Sequence, residues 1–587
     1  MTKPTLAVML ALLFGGWPQW SFGQIQQFDY LLDNSTLTPN FAGQTFRLHL
    51  REKVSEALLN DPNTDYSDKV VLMIHGNSVP ATAVFDLDYQ DYSWMDALAA
   101  EGYDVFALSL TGYGHSTRPT PMQDSCNVDF LDRLDNSISC LFANYRFRMT
   151  SSDSEMDDMD AAVEFIRSLR DVEDVHLIGH SLGGFRVMLY SSRYPEKVGK
   201  LITHGFSGVL SSAAAEPPPE LPSDGYPMSV INRSDIEDLF DAAECFDQFD
   251  PEVVEPAWQA CQSTDSLGLR WGETGGVVRH PQIDLYGLTN DTLASITQPT
   301  LVLIGEVDNI APPIAAQSYY DRLGSSNKVY VEINRTSHIG YWESRKEALH
   351  QLCINWLNDS SIDGRSIGKA IYKLNQTFDW IGEIDEQNPP QITALSPPHQ
   401  ATFVDLNSDL VIELDENIFS LAEHLTIFRK ADYSVFQYIE MDNTALVQQV
   451  CSNILQIDIN ELEADTEYFV YLHYDAFRDR SFNTFEGILT DKVWSFSTGE
   501  LITSTTELTD RSTLNIFPNP TRDYIHIHST SPSEILRIEL LSPGGQVLQS
   551  HFFQAQGQLD VRAYPPGAYF LQCATPHSNH TQKIIIQ

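Results

Sequence analysis

The chain has 587 residues and a formal net charge of −44, because 36 lysines and arginines stand against 80 aspartates and glutamates. So negative a chain repels nucleic acid and anionic membrane surfaces, and we expect neither as a partner. At roughly 100 to 200 residues per domain the length predicts several domains, and the 42% hydrophobic content is ordinary for globular protein.

Residues 1–23 have the pattern of a secretory signal peptide. Lys3 is followed by the apolar run "TLAVMLALLFGGW", and the small residues Ser21 and Gly23 precede the expected cleavage site before Gln24. That run is too short to span a membrane, and no later segment reaches the roughly 18 consecutive apolar residues of a transmembrane helix. The sequence therefore predicts an exported chain without a transmembrane segment.

Residues 24–359 are predicted to form one α/β domain. From about residue 45, apolar runs typical of strands buried on both faces alternate with amphipathic helical segments, which favours a mostly parallel sheet with helices on both faces. The predicted strands are "TFRLHLREKV", "KVVLMIHG", "YDVFALSL", "VHLIGHS", "KLITHGF", "PTLVLIG" and "KVYVEINR", and the predicted helices include "YSWMDALAAEG", "EMDDMDAAVEFIRSLR" and "GGFRVMLYSSRYP". A proline-rich, acidic insertion at about 208–297 is too long for a plain loop and is predicted to be a lid.

The composition changes after residue 359. Residues 360–388 are predicted to be a linker leading into the proline-rich junction "QNPPQITALSPP". Residues 389–499 contain short strands with turn signals and little helix, which is typical of a β-sandwich. Residues 500–510 are a second, polar linker, and residues 511–587 again indicate short strands, broken by turns such as "PNPTRD" and "YPPGAY". The fold class is thus multidomain: an α/β domain followed by two all-β sandwich-type domains.

A serine stands at the joint between a predicted strand and a predicted helix, in "VHLIGHSLGGF". In the pattern GxSxG, Gly179 and Gly183 are the small residues that a very sharp strand-to-helix turn requires. Ser181 is then strained and its hydroxyl is exposed at the end of the sheet. This is the position of a nucleophile, which needs a base and an acid elsewhere in the chain.

Two further polar residues follow predicted strands at the same edge of the sheet. Asp308 comes directly after "PTLVLIG", and His338 follows "KVYVEINR". Taken singly each has a plain alternative, because Asp308 could cap a helix, His338 could be an ordinary loop histidine, and GxSxG arises by chance. Together, in the order Ser181, Asp308, His338, they predict nucleophile, acid and base of a hydrolytic triad.

On these residues, and on "HGN" and "TGYGHS" after two other strands, the first domain resembles the α/β-hydrolases. The resemblance implies an oxyanion hole made by the backbone N–H groups of Asn77 and Leu182, and hydrolysis through an acyl-enzyme without metal or other cofactor. Haloalkane dehalogenases also carry "HGN", but their nucleophile is an aspartate followed by tryptophan. Ser181 and Leu182 at those positions disfavour dehalogenation and epoxide opening.

The resemblance favours a small-molecule or lipid ester as the substrate, with lactones and thioesters as related choices. A serine peptidase on the same fold is the second enzyme hypothesis, although the acidic lid singles out no anchor for a substrate amine. A surface binding protein that has lost activity is the third hypothesis, and the intact set of Ser181, Asp308 and His338 argues against it.

The two β-domains resemble exported bacterial modules. "PPQITALSPPHQATFVDLNSDLVIELDENI" with "WSFST" is similar to the bacterial Ig-like domain of surface-layer and exported proteins, and implies a spacer or weak binder. "LNIFPNPTRDYIHIHS", "GGQVL" and "YPPGAYFLQ" resemble the C-terminal sorting domain of the type IX secretion system. That implies passage through the periplasm and outer membrane by the type IX machinery, to the cell surface or the medium.

Export makes the seven cysteines informative. An odd number leaves at least one thiol unless another chain pairs with it, and no Cys or His spacing suggests zinc. Because they are close in sequence within probable loop or lid segments, we expect Cys126 to pair with Cys140 and Cys245 with Cys261. Cys353 lies in the helical pattern "EALHQLCINWL" and is expected to be a buried apolar residue.

Overall fold

The structure is a computed structural model. It describes residues 24–129, 131–132, 140, 143–208, 218–222, 225–241, 245, 248–272, 275–381, 389–479, 483–499, 514–517, 524–529, 535–542, 547–554, 556–562, 564, 567–574 and 579–586. The predicted signal peptide and the predicted linker at 500–510 lie outside the described residues. The chain divides into two compact units: Met1–Ala243 with Asp247–Ala370, and Glu244–Phe246 with Ile371–Gln587.

Ten strands form the main sheet, in the order β1-β2-β4-β3-β5-β6-β9-β10-β11-β12, and β7 and β8 form a separate two-stranded sheet. The strands up to residue 380 are β1 Ile25–Ser35, β2 Thr45–Ser55, β3 Val70–Ile74, β4 Asp104–Ser109, β5 Val175–His180, β6 Val198–His204, β7 Met228–Ile231, β8 Val278–Pro281, β9 Thr300–Gly305, β10 Lys328–Ile333, β11 Ile367–Tyr372 and β12 Phe378–Trp380. The pairs from β4 through β10 are parallel, whereas β1, β2 and β4 pair antiparallel. All seven predicted strands are present, which confirms the α/β fold class.

The central strands are buried along their whole length because helices cover them. Every residue of β3, β4, β5 and β9 is buried. The helices are α1 Glu56–Asn60, α2 Ala81–Phe85, α3 Trp94–Ala100, α4 Ser152–Arg170, α5 Leu182–Arg193, α6 Arg233–Asp241, α7 Val254–Gln262, α8 Asn290–Ser295, α9 Pro313–Arg322 and α10 Lys346–Asp359. The longest, α4, begins with a capping box in which Ser151 and Ser154 satisfy each other's backbone N–H groups.

Two regions differ from the simple strand-helix pattern. The insertion at 208–297 contains the antiparallel ribbon of β7 and β8 together with α6, α7 and α8. The predicted linker at 360–388 is not simply a linker, because β11 and β12 lie within it and extend the order of the main sheet. Both are short strands at one end of the sheet, and most of their residues are only part-buried. Such strands lack the continuous apolar run that predicts the buried strands.

The second unit contains an Ig-like domain built from short strands. They are β13 Ile392–Ser396, β14 Ala401–Val404, β15 Leu410–Leu414, β16 Phe419–Ser420, β17 His424–Arg429, β18 Val435–Glu440, β19 Val447–Cys451, β20 Ile454–Ile457, β21 Glu467–Leu472, β22 Phe477–Arg478 and β23 Ser495–Thr498. They form sheets of four, five and two strands. Trp494 lies in the shared core and donates its indole N–H to the Pro397 carbonyl at 2.7 Å.

The C-terminal segment contributes a seven-stranded sheet in the order β24-β25-β28-β27-β26-β29-β30. Its strands are β24 Leu514–Phe517, β25 Tyr524–Ser529, β26 Ile535–Leu541, β27 Val547–Gln554, β28 Gln556–Asp560, β29 Gly567–Ala574 and β30 Asn579–Ile586. All pairings within it are antiparallel.

One of the two predicted disulfides is present and the other is wrong. Cys126 pairs with Cys140, as expected. Cys245 pairs instead with Cys451, 206 positions further along the chain, and Cys261 is a buried thiol whose pKa burial raises to about 12. Cys261 lies in α7 with its side chain in the interior, so closeness in sequence did not make it a partner for Cys245. Cys353 is a buried thiol, as predicted.

Candidate active site

Ser181 stands in the sharp turn between β5 and α5. Its φ of 54° and ψ of −124° put a non-glycine residue in a strained region of backbone conformation. A Cβ on Gly179 would collide with the backbone of Gly183, and one on Gly183 with the Ile74 carbonyl at the end of β3. The turn is held by the Ser181 N–H, which donates to the His204 carbonyl at 2.9 Å. Glycine at both flanking positions is therefore a steric requirement of this turn.

Asp308 and His338 meet beyond the ends of β9 and β10. Nδ1 of His338 lies 2.9 Å from Oδ2 and 3.1 Å from Oδ1 of Asp308. Both residues are buried, and Asp308 also accepts the N–H groups of Ile310 and Ala311 at 3.0 and 2.7 Å. A carboxylate can only accept, so Nδ1 carries the proton, and Nε2 of the neutral ring is left as an acceptor.

The two backbone N–H groups predicted for an oxyanion hole belong to Leu182, which follows Ser181, and to Asn77, in the loop after β3. Leu182 is the first residue of α5, so its N–H has no acceptor within the helix. Asn77 follows Gly76, whose added Cβ would lie only 2.7 Å from Cβ of Ser181. Among the described residues no backbone carbonyl accepts the Asn77 N–H. Both amides are thus available near the serine.

Tyr113 lies in the stretch "TGYGHS", and its role was not predicted from the sequence. It supports the loop that carries Asn77. Its hydroxyl donates to Oδ1 of Asn77 at 2.7 Å, and its ring lies 4.5 Å from that of His75. Tyr113 is buried, and burial raises its pKa to about 12, so it remains a donor at any physiological pH. The Asn77 side chain is therefore held in one orientation.

Three buried histidines surround the constellation and stay neutral. Burial, with a smaller contribution from neighbouring charges, lowers the pKa of His75 and of His204 to about 3. It also holds the pKa of His180 well below its usual value, and the His180 ring lies 5.0 Å from that of His338. Because these three rings carry no charge at neutral pH, they place no positive charge next to His338.

A second buried carboxyl, Glu343, was not found from the sequence. It accepts the backbone N–H of Ser337 at 2.9 Å, the Ser337 hydroxyl at 2.5 Å and the Gln248 amide at 2.8 Å. Burial raises its pKa to about 7 despite these hydrogen bonds. Glu343 thus fixes the residue directly before His338. A single glutamate in "IGYWES" carries no pattern that would have revealed this contact.

Neither a metal centre nor a membrane-spanning helix is present in the described part of the chain. There, no group of three or more His, Cys, Asp or Glu side chains is arranged to hold a metal ion. No helix in that part combines the length and the apolarity needed to cross a bilayer.

Three known families match parts of the chain. Residues 69–227 match the alpha/beta hydrolase fold. The chain carries an α/β-hydrolase fold. Residues 386–498 match the bacterial Ig-like domain, and residues 515–587 match the secretion system C-terminal sorting domain. These are the three families that the sequence resemblances predict, in the same order, and the sorting domain indicates export through type IX secretion.

Relatives and solved structures with the same fold are distant. A 2-hydroxy-6-oxononadienedioate/2-hydroxy-6-oxononatrienedioate hydrolase of Cupriavidus pinatubonensis is 23% identical, over 54% of this chain and 96% of that protein. The protein of the same name from Escherichia coli is 24% identical, over 54% of this chain and 92% of its own. The solved thermophilic esterase of Thermogutta terrifontis is 17% identical, covers 57% of this chain and all of its own, and has a TM-score of 0.35.

Proposed function

We propose that the protein is an exported serine hydrolase that cleaves carboxylic esters through an acyl-enzyme. The observations that carry the proposal are the pair of Asp308 with Nδ1 of His338 and the position of Ser181 in a strained strand-to-helix turn. A structural loop has no need of a serine at positive φ. A nucleophile does, because the turn exposes its hydroxyl.

The reaction follows from the hydrogen-bonding capacity of each group. Nε2 of His338 takes the Ser181 proton as Oγ attacks the ester carbonyl, and Asp308 stabilises the imidazolium that forms. The imidazolium then gives its proton to the departing alcohol, leaving an acyl group on Ser181. Water, deprotonated by His338, attacks this acyl group, and the acid leaves as Ser181 recovers its proton.

The developing oxyanion would be held by the backbone N–H groups of Asn77 and Leu182. Such donors act where charge appears in the transition state, and loss of one typically costs about 2.7 to 4 kcal/mol. The insertion at 208–297 is proposed as the lid that selects the acyl and alcohol groups, with Gln248 linking it to Glu343 and the His338 loop.

An ester is favoured over the compound named for the distant relatives. That compound is a dioate, with two carboxylate groups, and a chain of net charge −44 disfavours the approach of a dianion. A peptidase remains the second enzyme hypothesis. We further propose that the sorting domain directs the chain through the periplasm and outer membrane, so deletion of residues 511–587 in the native host should leave the enzyme in the periplasm.

The decisive experiment measures hydrolysis of p-nitrophenyl esters from acetate to dodecanoate by the mature chain. Ser181→Ala serves as the control for non-enzymatic turnover. Hydrolysis that requires Ser181 supports the proposal, and its dependence on chain length identifies the acyl group. A fluorophosphonate probe that labels Ser181 without any ester turnover would favour a peptidase, to be tested with aminoacyl p-nitroanilides. If the probe does not label Ser181 and no ester is hydrolysed, the hypothesis of a binding protein without activity is favoured.

A further inference from the structure

One fully buried arginine joins the helix of the nucleophile to the loop of the oxyanion hole. Arg186 lies in α5, and its Nη1 donates to the backbone carbonyl oxygens of His75 and Gly76 at 2.8 and 2.9 Å. Its Nε and Nη2 donate to the two carboxylate oxygens of Glu155, both at 2.8 Å. His75 and Gly76 are the two residues directly before Asn77.

Stability alone is a weak reason for such an arrangement. Glu155 is 1% exposed, so both charges of the ion pair are desolvated, and a buried ion pair is often no more stabilising than apolar side chains of similar volume. The bidentate geometry uses only part of the guanidinium. The remaining donor, Nη1, is directed at a loop carbonyl pair that precedes a proposed catalytic amide.

The geometry of the peptide bond connects Arg186 to that amide. The Gly76–Asn77 bond is trans, so the Gly76 C=O and the Asn77 N–H lie in one plane and point in opposite directions. When Arg186 holds the Gly76 carbonyl, the Asn77 N–H must point away from the buried arginine. Gly76 itself is pressed against Ser181, with only 2.7 Å between an added Cβ and the serine Cβ.

We propose that Arg186 is a positioning residue that orients the Asn77 N–H toward the oxyanion through the Gly76 carbonyl. This inference rests on the proposed function, because it needs an oxyanion to be stabilised. Ser181 caps the helix that carries Arg186. The same helix therefore fixes the nucleophile and, through Arg186, the amide that would bind the oxyanion. Glu155 keeps the guanidinium in the one orientation that serves the loop.

The test compares two arginines that each pair with buried carboxylates. Arg186→Met is measured beside Arg170→Met, since Arg170 pairs with Asp104 and Glu52 at the start of β4, away from the strand ends that carry the site. With p-nitrophenyl butyrate, Arg186→Met should lower kcat about 10- to 100-fold with little change in KM, less than the 10²- to 10³-fold of a lost oxyanion donor. Butylboronic acid, whose tetrahedral adduct with Ser181 presents an oxygen to the same amides, should bind more weakly by the same factor.

Arg170→Met should change the melting temperature by a similar amount and leave kcat and boronate affinity unchanged. If Arg186→Met does not fold, the double variant Arg186→Gln with Glu155→Gln is used, because it leaves no unpaired buried charge. If the Arg186 variants keep the wild-type kcat and boronate affinity, the positioning role of Arg186 is overturned and the proposed hydrolase function still stands. A wild-type chain without turnover that depends on Ser181 overturns the proposed function, and this assignment with it.

Discussion

The hydrolase sheet and the Ig-like sandwich bury their strands differently. In the hydrolase unit β5 is buried at every residue, whereas β15 of the Ig-like domain alternates buried and part-buried positions. In a parallel sheet covered on both faces, a polar side chain along a strand would be buried on either face. Polar side chains therefore lie mainly where the strands end. A sandwich with one wet face distributes its polar residues along every strand. Only the first arrangement concentrates chemistry at one edge.

Ionisable groups show the same contrast. In the hydrolase unit, burial lowers the pKa of His204 to about 3 and raises that of Glu343 to about 7. In the Ig-like domain, Glu463 has a lowered pKa because of a hydrogen bond from Arg429, on an exposed surface. A shift caused by burial is one feature that makes a group in a cleft a functional candidate, whereas a solvated ion pair needs no such explanation.

The sharpest test of this contrast removes the nucleophile. Ser181→Ala should lower kcat for a p-nitrophenyl ester by about 10⁶-fold, since loss of the nucleophile abolishes the whole triad. The melting temperature should change little, because the substitution removes a single hydroxyl from a part-buried turn. Ser192→Ala is the matched control, as its hydroxyl only bonds the Leu189 carbonyl in the same helix. Full activity in Ser181→Ala would remove the serine from the mechanism.

Removal of the charge on Asp308 should have the next largest effect. Asp308→Asn should lower kcat about 10⁴-fold. The amide can hold His338 in the wrong tautomer, and it carries no charge that would stabilise the imidazolium. Glu343→Gln alters the hydrogen bonds to Ser337 and Gln248, so its loss of kcat should fall well short of that of Asp308→Asn. Steady-state kinetics of both variants compare the two losses of kcat. Equal losses would mean that Glu343, and not Asp308 alone, supports the histidine directly.

In the second unit, the expected effects are on stability and not on chemistry. Cys451→Ser opens the disulfide to Cys245 and should cost about 2 to 5 kcal/mol, as is typical when a native disulfide is removed. Non-reducing peptide mapping of the wild-type chain should yield the Cys245–Cys451 peptide and a free thiol at Cys261. A peptide that joins Cys245 to Cys261 would contradict this pairing.

A buried histidine outside the triad should make the stability of the hydrolase unit depend on pH. His350 stacks on Trp94 at 5.8 Å, and burial, assisted by Lys346 and opposed by Asp91, lowers its pKa to about 3. Between pH 6.5 and that value the unfolded chain binds a proton that the folded chain does not, so stability falls as the pH is lowered. At about 1.36 kcal/mol for each pH unit, the loss from pH 6.5 to 5 is about 2 kcal/mol.

His350→Gln should therefore destabilise the unit at pH 8, where only the packing is lost, and do so by about 2 kcal/mol less at pH 5. Chemical denaturation at the two pH values measures the difference. An identical cost at both would show that His350 takes up its proton in the folded state as readily as in the unfolded one.

A structural feature can be predicted from the sequence only where it leaves a physical signal in the order of the residues. The central strands and the order of Ser181, Asp308 and His338 were predictable, because buried strands are continuous apolar runs and their ends face one edge. The antiparallel edge strand β1 was missed because its side chains are mostly exposed or part-buried and alternate irregularly. Arg186 lies in a correctly predicted helix, but nothing in helical periodicity distinguishes a buried arginine from a solvated one. The partner of Cys245 required the tertiary fold.

The smallest expected effect comes from removing the second unit's β-domains. A truncated chain from Gln24 to Trp380 keeps the ten strands of the main sheet, the helices that cover it and the residues proposed for catalysis. It should fold alone, because it contains a complete core, and should hydrolyse a soluble ester at the rate of the full mature chain. Cys245→Ser is included so that the unpaired thiol does not oxidise, and the same substitution in the full chain is the matched control. A folded but inactive fragment would mean that the β-domains help to form the site, and the contrast between a catalytic and a structural region would then no longer hold.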